Sequence, residues 1–169
     1  MKKLVKKVFV VIGLAVLITA CEKHEPTALE LDTIANKVKV CGYVTYDKKK
    51  SDGSSNVLKK ASAEVTIDVA LSQYGSSTNT GTKRYTATTN AKGYYELELP
   101  VKEGKSLSVI INTSFITDCY AYNPIEATWE IVPGLFKAAG TSSILQGQQN
   151  VLDLAAGATT VFPNSPDFH

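Results

Sequence analysis

From Lys37 to Leu154 the chain alternates oily and watery side chains with the period of a β-strand. The clearest stretch is Thr86 to Pro100. Tyr95, Leu97 and Leu99 alternate there with Glu96 and Glu98, and ahead of them Tyr85, Ala87 and Thr89 alternate with Thr86 and Thr88. Asn90 can open, and Gly93 can close, a type I turn with a bulge, so a hairpin is expected. A first strand is expected over Lys37 to Tyr46, with Val38, Val40, Gly42, Val44 and Tyr46 on one face and Lys39, Cys41, Tyr43 and Thr45 on the other. Val65, Ile67, Val69 and Leu71 define the inward face of a second strand, Ala63 to Leu71. Ser106 to Ile116 is almost continuously apolar and β-branched, as a central strand would be.

The segment Asp118 to Leu145 is harder to read. It holds Pro124, Pro133 and Trp129, the one tryptophan of the chain, at irregular spacing. A strand over Ala127 to Val132 and a loop or single helical turn over Gly134 to Gly140 are expected. Val151 to Leu154 reads as a closing strand and Ala158 to Phe162 as one more, with polar loops at Asp47 to Lys60 and Gly75 to Gly81. About seven short strands and no helix of ordinary length predict an all-β fold, an Ig-like sandwich.

The first twenty residues stand apart. Lys2, Lys3, Lys6 and Lys7 precede an apolar run from Val8 to Ile18, closed by Ile18-Thr19-Ala20-Cys21. This is the layout of a secretory signal, too short to cross a ~30 Å hydrocarbon core as a helix. The closing tetrad resembles a bacterial lipobox, which implies that Cys21 becomes the first residue and carries lipid, palmitate included. Removing the leader leaves 14 basic against 16 acidic side chains, a net charge of −2. The basicity belongs to the leader, and nothing then recommends nucleic acid as a partner. No aspartate follows Cys21, which for such lipoproteins implies the outer membrane. Glu22, Lys23 and Glu25 do not decide between its surface and its periplasmic side. Residues 21–36 read as a tether, with a short helix over Thr27 to Asn36 as an option. Within it Asp32-Thr33-Ile34 resembles an O-glycosylation signal of certain Gram-negative bacteria, and Thr33 reads equally as a plain linker residue.

Three short elements in order carry a further resemblance. Val40-Cys41-Gly42-Tyr43-Val44, Ala63-Glu64-Val65-Thr66-Ile67 and Thr88-Thr89-Asn90-Ala91-Lys92-Gly93-Tyr94-Tyr95 resemble the carboxypeptidase regulatory-like domain, a transthyretin-like sandwich. The resemblance implies a domain over 37–155, followed by a C-terminal strand or tail over 156–169. It also implies no activity of its own, because such modules usually serve as spacers, scaffolds or binding units.

Candidate chemistry is sparse. His24 and His169 lie at the anchor and at the last position, so neither is placed for a triad or a metal site. Glu96 and Glu98 share a face as acid–base pairs do, but also as the wet side of any sheet does. Asp47, Asp52 and Asn56 hint at calcium without matching its loop template. No catalytic residue, metal or cofactor is therefore expected. Cys41 and Cys119 either form one bridge, contributing about 4 kcal/mol by loop closure, or stay two separate thiols. Tyr120, Tyr122 and Trp129 form either a platform for a protein or glycan partner or part of the core. The expectation is a non-catalytic, lipid-anchored outer-membrane module that binds or scaffolds. A fimbrillin-like or adhesin subunit assembling by strand exchange and a carbohydrate-binding surface lipoprotein are the alternatives.

Overall fold

The computed structural model describes residue 31 and residues 34–75 and 81–161. The leader, Cys21, both histidines, Thr33, most of the proposed Thr27–Asn36 helix and Phe162 lie outside them.

Alternation becomes nine strands. They are β1 (Lys37–Asp47), β2 (Val57–Lys59), β3 (Glu64–Ala70), β4 (Thr82–Thr88), β5 (Tyr94–Pro100), β6 (Ser106–Asn123), β7 (Thr128–Leu145), β8 (Asn150–Val151) and β9 (Leu154–Val161). A 3₁₀ turn covers Leu71–Tyr74. The fold is all-β, with nine strands where about seven were expected. They form one mixed sheet in the order β2-β1-β9-β7-β6-β3-β4, with β5 and β8 also on β1. The sheet curls until the β1–β5 face meets the β3–β6 face. Val40, Val44, Val65, Ile67, Val69, Leu99 and Leu107, all essentially inaccessible, fill the space between. β9 closes the curl, running parallel to β1 and antiparallel to β7. The domain end expected at 155 thus falls inside a strand of the sheet.

Two expectations are corrected. The Thr86–Pro100 stretch is not a hairpin: β4 pairs with β3, and β5 pairs with β1. The turn itself forms as its residues dictate. Asn90 Oδ1 accepts from the Lys92 and Tyr94 amides at 2.8 and 3.1 Å, and Gly93 sits at φ +72°. It carries the chain from one layer to the other, because alternation fixes which face is buried and not which strand lies alongside. The second correction is Asp118 to Leu145. There β6 and β7 pair residue for residue over 18 positions, from Ser106 opposite Leu145 to Asn123 opposite Thr128. No loop or helical turn interrupts β7 at Gly134 to Gly140.

Candidate functional site

The β6–β7 ladder has two faces set by the period of two. On the inner face Cys119 lies opposite Val132 and Phe115 opposite Phe136. With Tyr46 and Ala156 they make a small second core above the main one. On the outer face the successive pairs are Ile116–Leu135, Asp118–Pro133, Tyr120–Ile131 and Tyr122–Trp129. All three predicted aromatics therefore share one surface. The Tyr122 and Trp129 rings meet edge to face, centroids 5.7 Å apart and planes at 61°, an arrangement aromatic pairs favour. Ile116, Tyr122 and Ile131 are 62, 49 and 50% exposed, so the ladder is open to solvent, not core.

Polar groups hold the tip in shape. Buried Asn123 accepts from the amides of Ile125 and Glu126 at 3.0 and 3.3 Å and donates to Glu130 at 2.6 Å. The Tyr120 amide donates to the Lys48 carbonyl at 3.2 Å, and the Lys48 ammonium stands 5.6 Å from the Tyr120 ring centroid. That contact joins the far end of β1 to the upper edge of β6. The near end of β1 lies with Pro100, through the Lys37–Pro100 register and the Val101-to-Asn36 hydrogen bond. The chain thus enters the domain at one end, and the aromatics sit at the other. Eleven steps of extended chain, from Lys37 to the Lys48 that touches Tyr120, span roughly 36 Å between them.

The remaining predicted sites are not brought together. Cys41 and Cys119 are both free and buried. Cys41 faces Gln149 within the β1–β8 region, whereas Cys119 is held in the upper core beside Val132. Cys119 lies next to the residue that Lys48 binds, seven positions along β1 from Cys41. That is roughly 20 Å, far beyond the ~7 Å Cα separation a bridge tolerates. Burial pushes the Cys119 thiol up from its ordinary pKa. Glu96 is bound by Lys39 at 2.7 Å and accepts from the Tyr94 hydroxyl at 2.8 Å, which lowers its pKa. It is tied to a cation, not paired with Glu98 as an acid–base couple. Asp47 spends its carboxylate on Lys49, Ser55 and Asn56, organising its own loop. Among the described residues no three His, Cys, Asp or Glu side chains gather to hold a metal.

Ile131 and Leu135 were not singled out in the sequence, and Ile116 was read only as part of a central strand. Both faces of Ile131 to Phe136 are apolar, so no polar beat marks that part of the strand and its outer residues look like core.

No family model matches the chain, and no curated protein matches it. Among solved structures the chain is similar to a Pseudomonas aeruginosa protein described as a "putative carbohydrate binding protein". The two share 10% identity and superpose with a TM-score of 0.45, over 71% of this chain and 88% of the other. A likeness that loose carries no argument about ligand.

Proposed function

We propose that this protein is a non-catalytic binding module, lipid-anchored at the outer membrane through Cys21, that holds a glycan on the outer face of the β6–β7 tip. The observation that carries the reading is the exposed Tyr120–Ile131 and Tyr122–Trp129 ladder. Two tyrosines and a tryptophan combine broad apolar faces with hydroxyl and N–H groups at their rims. Sugars present the complementary surface, patches of C–H framed by hydroxyls. Asp118 and Lys48 flank the ladder and add an acceptor and a donor. A membrane tether entering at the opposite end would point this face away from the bilayer.

Strand donation to a second copy is the competing reading. It would need β9 to leave both β1 and β7, between which its own chain holds it.

The test titrates the leaderless domain with a panel of gluco-, manno- and galacto-oligosaccharides, following the heat of binding by isothermal titration calorimetry. Saturable binding is expected, lost in Trp129→Ala and Tyr122→Ala with melting temperatures nearly unchanged. Binding that survives both substitutions would place the ligand elsewhere and defeat the proposal.

A further inference from the structure

We infer that the edge of β7 from Ala139 to Ser143 is a slot for a short extended peptide, bound as one more strand. This site lies at the other end of the molecule from the aromatics and does not depend on the glycan reading.

In an antiparallel ladder alternate residues direct both N–H and C=O to the same side. At Leu145 both groups leave the β6 side. Its amide donates to Asn150 Oδ1 at 3.0 Å, and its carbonyl accepts from Asn150 Nδ2 at 3.2 Å. At Leu135 the carbonyl likewise turns outward, to the Thr159 hydroxyl at 3.1 Å. Odd-numbered residues of β7 therefore face away from β6. β9 serves this edge down to Lys137, opposite Gly157, and then crosses to β1. The Asn150 amide serves it at Leu145. Between the two, Ala139, Thr141 and Ser143 turn their backbone groups toward a groove, and no strand among the described residues pairs with them there.

The groove holds about 530 Å³ and runs between this edge and Val151 to Ala155, with Ile111 at its floor. Its chemistry selects the occupant. Edges that must stay unpaired usually carry charge or proline. β4 has Lys83 and Arg84, and β5 has Glu96, Glu98 and Pro100, but Ala138 to Ile144 has neither. Val151, 55% exposed, lines the slot, together with one charge of each sign, Lys137 and Asp153. The slot is closed above by Gly157 and below by Asn150. A strand that runs straight on, such as β7 of a second copy, would collide with both. A guest of about five uncharged residues fits, its inward side chains meeting Ile111 and Leu154 and its backbone completing the ladder.

The probe is the acetylated, amidated pentapeptide Ser-Val-Thr-Val-Ser, added to the leaderless domain and followed by amide NMR. Shifts and slowed hydrogen exchange are expected at Ala139, Thr141, Ser143 and Val151, saturating near ~1 mM, the level of a few backbone hydrogen bonds. Thr141→Pro removes only an outward N–H, so the variant should fold and lose the peptide. Ser142→Pro removes a bond to β6 and should unfold. No shift up to ~10 mM peptide, an undiminished response in Thr141→Pro, or an unfolded Thr141→Pro would each overturn the inference.

Discussion

Gly42 shows how a single residue can set the fit between strands. A methyl group there would collide with the carbonyl oxygen of Leu152, whose carbon would lie 2.7 Å away. Leu152 cannot retreat freely, since its amide donates to the Cys41 carbonyl at 2.8 Å and its carbonyl accepts from Tyr95 at 2.5 Å. Gly42→Ala should therefore destabilise the fold by about 2–3 kcal/mol, the scale of overpacking, read as a lower urea midpoint. Thr89 is the second such position. Buried at 3% exposure, its hydroxyl accepts from the Ala63 amide at 2.8 Å and donates to the Lys60 carbonyl at 2.6 Å. Thr89→Val keeps the shape and strands both partners, so a loss of about 2 kcal/mol is expected in the same assay. The sequence places Thr89 on the inward face but does not reveal its partners, which lie 26 and 29 residues away.

At the scale of elements, what could be read was the faces. β1 and β3 appear where alternation puts them, with Val38, Val40, Val44, Val65, Ile67 and Val69 buried as expected. What could not be read was pairing. β2 is three residues long with only Leu58 turned partly inward, too short to carry a pattern. β7 was obscured by Pro133, a residue that normally ends strands. It is tolerated because it occupies an odd position, where the missing N–H would have faced away from β6. The tip aromatics were visible as a cluster, but their common face depended on the unbroken register of β6 with β7. The pairing of β3 with β4 carries a pH dependence. Arg84 binds Asp68 at 2.7 and 2.8 Å, and this hydrogen-bonded contact holds the carboxyl below its ordinary pKa of 3.8. A depressed carboxyl contributes stability above its unfolded pKa, and that contribution disappears as pH falls through the lower folded value. Urea midpoints between pH 6 and 2.5 should decline below about pH 4, and Arg84→Gln should flatten part of that decline.

Across the whole molecule, the long β6–β7 ladder separates the entry of the chain from the aromatic tip. Because Trp129 is the one tryptophan, this arrangement can be measured directly. With the Cys21-lipidated form that the proposal calls for on vesicles containing brominated acyl chains, Trp129 emission should remain unquenched, while a soluble quencher such as acrylamide should still reach it. Strong quenching by the lipid would mean that the tip dips into the bilayer.

β9 has a consequence for how the chain is made. Val44 pairs with Leu154, 110 positions later in the sequence. Such distant pairings make folding slow, since a large loop must close before any reward follows. A nascent chain therefore cannot complete its curl until Leu154 to Val161 have been delivered. Pulse-labelled chains stopped after Asp153 should stay protease-sensitive, which would keep the polypeptide threadable until β9 has been made.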